Sequence, residues 1–247
     1  MNVLRRLFLK SNKKWKSGSG FKRQDWGERH PRTGWTSVPR EWAELRNHHY
    51  QNWFGGPEDV LIWHEFISPT PHVDIYVYPP SSELGRDYFT FVTSGMSDSR
   101  MKLPRNIDPS LGRAEIIYYI DPGNTPFDRI EKPWYAQAMS FFAHYPFDYH
   151  TWLGISHTVT NGNPPVPVVE GSQLTTALFL PPVFESQAFT NGLLLSGEKI
   201  NYLWLIFITD DECNYLQKFG FDALFHQLKQ HGLMAMLNPN RSSLVPR

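Results

Sequence analysis

A mixed α/β (α+β) single domain, one β-sheet with about three helices packed on it, is the fold this sequence predicts. Three observations carry that prediction. Short apolar runs rich in β-branched and aromatic residues recur between proline- and glycine-bearing turns, as strands do. Three longer segments repeat apolar residues every three or four positions, as helices do. Strands and helices are interspersed, which suits one mixed sheet rather than a bundle. The 247 residues are 40% hydrophobic and 19% charged, a globular balance and a length that suits one large domain or two small ones. Aromatic residues reach 15%, enough to furnish a large core, an adhesive surface, or both.

Residues 1–36 read as a flexible basic arm, with Ser17-Gly18-Ser19-Gly20 as a joint. Trp15, Phe21, Trp26 and Trp35 are interleaved with its cations and are expected to pin it to the domain, which spans 37–238. A first helix is predicted from Pro39 to Phe54, with Trp42, Leu45, His49 and Trp53 on its apolar stripe. Ser37 or Thr36 is its expected cap, Pro39 falls in its first turn, and Gly55-Gly56 ends it. Strands follow at Val60–Phe66, His72–Tyr78, Tyr88–Thr93 and Ala114–Ile120. The stretch between Ser94 and Arg113 is a long polar loop, of a length more often functional than idle.

A second helix is expected over Lys132–Ala143, with Trp134, Ala138, Phe141 and Phe142 inward. Trp152–Val159 and Ala177–Leu180 read as further strands; Asn161–Val168, with three prolines, must be extended or looped. Asn201–Ile208 is continuously apolar, as a strand buried on both faces should be. Thr209 and Glu212 have capping-box spacing and start the last helix, which carries Tyr215, Leu216, Phe219, Leu224, Phe225 and Leu228 and has a break signal at Gly220. Residues 239–247 form a C-terminal tail. Its Leu244-Val245-Pro246-Arg247 matches a thrombin recognition sequence and is read as a tag remnant outside the fold.

Charge is balanced overall but unevenly placed. The first 23 residues hold eight basic and no acidic side chains, so the rest holds sixteen basic against 24 acidic, a net of −8. A basic arm on an acidic body can meet an acidic partner, a membrane surface or nucleic acid, or simply be solvated. The single cysteine, Cys213, excludes an intramolecular disulfide framework and suits a small buried position. No apolar run approaches bilayer length, and Arg5 and Arg6 interrupt the N-terminal apolar residues, so a cytoplasmic location is expected.

No motif assigns a catalytic residue, a metal or a cofactor. Thr93-Ser94-Gly95-Met96-Ser97-Asp98 lacks a Gly-x-Ser-x-Gly elbow, and its serines and Gly95 are better suited to a turn in which Gly95 takes a positive φ. His144, Asp148, His150 and His157 lie close in sequence, but at spacings of four, two and seven that match no standard metal site. Neither glycine-rich phosphate cradle is present. Asp74 interrupts an apolar strand and needs donors if buried; the Thr93–Ser97 loop is the expected source.

The chain resembles the suppressor-of-fused family. The likeness runs through Asn47-His48-His49-Tyr50, Trp53-Phe54-Gly55, His64-Glu65, Val73-Asp74-Ile75 with Tyr78-Pro79-Pro80, and Phe91 to Asp98. It returns at Ala114-Glu115-Ile116, Trp152-Leu153-Gly154 with His157-Thr158, and Phe207 to Glu212, over roughly residues 40–235. The resemblance implies a non-enzymatic protein-binding domain. Animal members restrain a transcription factor by gripping an extended peptide, and bacterial members are thought to act as immunity proteins against a cognate toxin. The length resembles that of a bacterial single-domain member. The expected partner contacts are Tyr78, Pro80, Asp87, Ser94, Met96, Asp98 and Arg100, with Asp74, Gly95, Thr209 and Glu212 in structural roles. Two rival readings stand beside this one: a hydrolase using Ser94 or Ser97 with His157, and a nucleic-acid adaptor using the arm.

Overall fold

The computed structural model describes residues 39–56, 60–64, 71–124, 134–232, 238 and 240–246. The arm over 1–36, the Thr36 and Ser37 caps and the junction at Lys132 lie outside these residues. The described elements are α1 (Arg40–Phe54), β1 (Leu61–Trp63), β2 (Asp74–Tyr78), β3 (Phe89–Ser94), β4 (Ala114–Ile120), α2 (Trp134–Asp148), β5 (Thr158–Thr160), β6 (Leu174–Leu180), α3 (Gln187–Gly192), β7 (Leu194–Leu195), β8 (Glu198–Lys199), β9 (Asn201–Thr209), α4 (Asp210–Phe219) and α5 (Phe221–Gln230). Seven strands hydrogen-bond in the order β1-β2-β3-β4-β9-β6-β5, and β7 with β8 forms a separate hairpin. The fold is therefore the expected mixed α/β one, with five α-helices among the described residues rather than about three.

The residues cluster into two compact units. One holds the described residues up to Ile155 together with Phe179–Leu205. Its strands β1 to β4 form an antiparallel meander, and β9 then pairs with β4 in parallel, Ala114 opposite Asn201. Every residue of β4 is buried, as are residues 202–209 of β9, which suits central strands covered on both faces. In the β7–β8 hairpin, Ser196 and Gly197 both take positive φ (50° and 77°), the backbone of a two-residue turn matched to strand twist.

The other unit holds Ser156–Leu178 and the described residues from Ile206 on. Its helix α4 starts on the predicted capping box: Thr209 Oγ1 accepts from the Glu212 N–H at 3.2 Å, and Glu212 Oε2 accepts from the Thr209 N–H at 2.9 Å. Gly220, at φ +88°, separates α4 from α5 where the break was expected.

Several element boundaries differ from expectation. Helix α1 begins at Arg40 with Pro39 at the N-cap position, where no side chain caps it. Helix α2 continues to Asp148, five residues past Ala143, with Pro146 inside its last turn. Of the segment read as Trp152–Val159 only residues 158 and 159 are strand, in β5, which runs on to Thr160; Ser156 at φ +71° turns the chain just before them. Strand β6 starts at Leu174 rather than Ala177.

The inward faces of the first two helices are rotated from the predicted stripes. Helix α1 buries Arg46, His49, Tyr50 and Phe54, while Leu45 is 47% and Trp53 37% exposed. Helix α2 buries Phe142 but leaves Phe141 40% exposed. The physical reason in α1 is Arg46: a buried cation has been placed where hydrophobic patterning puts an apolar residue, and its partners explain why.

Candidate functional site

The end of β3 is built around a fully buried carboxylate. The β3–β4 ladder stops at Val92 opposite Ile117. Beyond it, Thr93 substitutes a side chain for the missing backbone pairing: its Oγ1 accepts from the Ile116 N–H at 2.8 Å and donates to Glu115 Oε2 at 2.6 Å. Glu115 Oε1 accepts from the Gly95 N–H at 3.0 Å, the Ser97 N–H at 3.1 Å and the Ser97 hydroxyl at 2.6 Å. Four donors on one carboxylate, two of them backbone, hold the whole Thr93–Asp98 turn in a single conformation. Residues 96–98 then close as a short 3-10 turn.

Gly95 makes this turn possible. It sits at φ +124°, and a Cβ there would come 1.9 Å from the His72 carbonyl oxygen, so no other residue fits. The positive φ expected of Gly95 is thus present, and the close approach to His72 is an added requirement that the sequence did not reveal.

Helix α1 supplies the counter-charge. Arg46 Nε donates to Ser94 Oγ at 2.9 Å and lies 3.9 Å from Glu115 Oε1; its Nη2 donates to Asp98 Oδ2 at 3.1 Å, and its Nη1 pairs with Asp98 Oδ1. The Arg46 and Asp98 side chains are only 2% and 6% exposed. Burial opposes the charge on Arg46, but Glu115 and Asp98 together more than offset it and raise its pKa. Burial pushes the Glu115 carboxyl up and is opposed by Arg46, Ser97, Thr93 and Gly95; Asp98 is likewise pushed up by burial, against the pull of Arg46. Tyr50, one turn along α1, donates to the Thr93 carbonyl at 2.9 Å. The helix is therefore bolted to the turn by polar bonds as well as by packing.

The sequence-predicted residues divide sharply by depth. Tyr78 and Met96 have no exposed surface, and Ser94 has 6%. Asp98 is turned inward onto Arg46. Pro80 is half-buried, while Asp87 and Arg100 are exposed. Arg100 shares Glu198 with Arg113: its Nη1 pairs with Glu198 Oε2, which also accepts from Arg113 Nε at 3.1 Å. Arg113 in turn donates to the Ser97 carbonyl at 2.7 Å and the Asp98 carbonyl at 3.0 Å, and lies over the Trp42 ring.

Asp74 is braced by other groups than expected. His64 Nδ1 and His72 Nε2 meet its two oxygens at 3.1 and 3.2 Å, and its side chain is 17% exposed. The donors of the Thr93–Ser97 loop go to Glu115, a residue not singled out for this role. Nor do the serines form a nucleophile: Ser97 is fully buried and donates to Glu115, while the 6%-exposed Ser94 hydroxyl accepts from Arg46. Among the described residues no group of three or more His, Cys, Asp or Glu side chains is placed to hold a metal, and no helix is long and apolar enough to cross a membrane.

In the second unit Glu212, beyond its capping role, holds the C-terminal segment. Arg241 donates to it through Nη1 at 2.6 Å and Nη2 at 2.9 Å, and the Leu244 N–H adds a bond at 2.8 Å. Arg241 Nη2 also reaches the Phe207 carbonyl at 2.9 Å, and Val245 is only 8% exposed. The sequence placed Leu244 and Val245 outside the fold; here the Leu244 N–H bonds to Glu212 and Val245 is buried. Arg46, Glu115 and Arg241 carry no signal in composition or periodicity. The resemblance passed through Glu115 without giving it a role.

A mixed sheet with a polar turn held by a buried carboxylate and a buried arginine defines the α/β scaffold. A family model described as suppressor of fused protein matches residues 69–242, and the chain belongs to the suppressor-of-fused family. No curated protein sequence matches it. Among solved structures it is similar to a suppressor-of-fused homologue from Neisseria gonorrhoeae, with TM-score 0.58 and 20% identity over 85% of this chain and 100% of that one. A structure of the Sufu–Fu complex gives TM-score 0.60 at 12% identity, over 85% and 93% of the two chains. Drosophila Suppressor of Fused gives 0.52 at 14%, over 82% of this chain and 50% of that one.

Proposed function

We propose that this protein is a non-enzymatic binding module that grips a protein partner, and that the partner is a cognate toxin which it neutralises as an immunity protein. The observation that carries the reading is the locking of the Thr93–Asp98 turn onto Glu115 and Arg46. Buried itself, that turn is a firm base for the exposed Arg100 two residues beyond it, and a surface residue held firmly from beneath loses little entropy on binding. The hydroxyls of the turn are consumed in holding it, so its chemistry is positional. Family membership supports the reading, as does the Sufu–Fu complex, in which a protein of this fold is bound to a partner.

In this reading the partner meets Pro80, Asp87 and Arg100 directly. Tyr78, Ser94, Met96 and Asp98 act from beneath by fixing the loops that carry them. The net −8 of residues 24–247 favours a basic partner and speeds its capture. The test is to express the product of the adjacent gene with and without this protein. The expected result is growth arrest by the neighbour alone, relief on co-expression, and a stable complex of the purified pair. A neighbour that is harmless, or that stays toxic and forms no complex, overturns the immunity reading.

A further inference from the structure

The tip of the β2–β3 hairpin holds a buried arginine, Arg86, that makes no direct ion pair with a carboxylate among the described residues. Arg86 is only 6% exposed. It sits where the hairpin closes, its N–H and carbonyl both bonded to Ser81. Its Nη2 donates to the Phe54 carbonyl at 2.8 Å and the Pro79 carbonyl at 2.7 Å, and its guanidinium lies over the Phe54 ring at 5.5 Å. Nε is buried with no hydrogen-bond partner, and Nη1 finds no acceptor among the described residues. No described carboxylate comes within 4.0 Å of it. Glu185 faces it from farther away, with one oxygen already engaged by the Tyr119 hydroxyl at 2.8 Å. Burial works against the charge on Arg86, with Glu185 opposing that effect from a distance, and among the described residues its guanidinium bonds to neutral carbonyls alone. A charge buried this way is costly unless something compensates it.

Arg86 also lines an open depression of about 480 Å³, together with Pro80, Ser82, Gly85 and Asp87. The geometry points to a carboxylate-binding subsite here: one carboxylate of a polypeptide partner seats in the depression and pairs with Arg86. Guanidinium suits that ligand because its N–H groups make charge-assisted hydrogen bonds to a carboxylate; with Nη2 held by two carbonyls and Nε buried, the contact falls to Nη1. Asp87 on the rim opposes any anion, so a correctly placed carboxylate gains from Arg86 what a diffuse acidic surface does not. The subsite deepens the partner-binding reading and rests on it for the carrier of the carboxylate, but not for the chemistry.

Acetate tests the chemistry without any partner. The intact protein, labelled with nitrogen-15, is titrated with sodium acetate at constant ionic strength against a sodium chloride control, and the amides of residues 82–87 are followed. The expected result is a saturable shift with acetate and not with chloride. Asp87→Asn strengthens it about threefold by removing the opposing charge, and Arg86→Gln abolishes it. Should Arg86→Gln fail to fold, the Asp87→Asn comparison alone decides. No saturable shift, an equal response to chloride, or indifference to Asp87→Asn overturns the subsite. A protein that binds acetate but no neighbouring toxin overturns only the immunity reading; one that binds the toxin but no acetate overturns only the subsite.

Discussion

Glu115 and Glu212 are both fully buried carboxylates, each with one buried arginine drawn from far along the chain, yet they do different work. Glu115 is surrounded by four donors from one turn, and Arg46 stands 3.9 Å off while pairing with Asp98. Glu212 is clasped on both oxygens by Arg241. The first carboxylate orders a loop, with the arginine as a neutralising neighbour. The second fastens a terminal segment, with the arginine as the fastener itself. A buried acid is therefore defined by what its donors belong to, and not by its burial alone.

The comparison breaks most easily at the turn. Gly95→Ala should cost about 4 kcal/mol or more, since it adds a Cβ against the His72 carbonyl and loses the positive-φ backbone. Denaturant unfolding measures it; a loss under about 1 kcal/mol means the turn can shift and Glu115 does not fix it. Arg46→Ala should cost about 3–5 kcal/mol by removing the cation closest to two buried carboxylates. Arg241→Ala should cost about 3 kcal/mol, and in this case amide exchange should quicken from residue 241 onward while the Thr93–Asp98 turn stays protected. Equal loosening of both regions would erase the distinction drawn between them.

A smaller effect concerns pH. His49 donates from Nε2 to the Phe189 carbonyl at 3.1 Å and stacks on the Phe189 ring, and burial lowers its pKa. The folded state thus binds this proton less readily than the unfolded chain does. Its contribution is complete above the ordinary histidine range and is lost as pH falls through the lowered folded-state value. His49→Gln keeps a donor for the carbonyl, so the stability gap between wild type and variant should shrink from pH 7.5 to pH 5. A constant gap would show that the ring's protonation is not linked to folding. The smallest effect is at Leu45: as an exposed residue, its change to Ala should stay within about 0.5 kcal/mol, whereas a core position would lose several times that. A large loss would restore the stripe read from periodicity.

Much of the fold was legible because local patterns and local contacts agreed. The β9 apolar run, the Thr209–Glu212 box and the Gly220 break each depend on residues within a few positions of one another, and each appears in the structure. The site was less so. The Thr93–Asp98 turn was recognisable, yet its carboxylate was assigned to Asp74, which histidines meet instead. The inward face of α1 was displaced because apolar periodicity has no means of placing a buried arginine.

The sequence by itself determined where the chain extends, coils and turns, since those choices rest on side-chain shape, backbone φ and neighbours close in sequence. Only the tertiary structure decided which charged groups go inside. Arg46 meets Asp98 across 52 positions and Arg241 meets Glu212 across 29. A buried charge is tolerable only when its partner arrives in space, and folding alone brings that about.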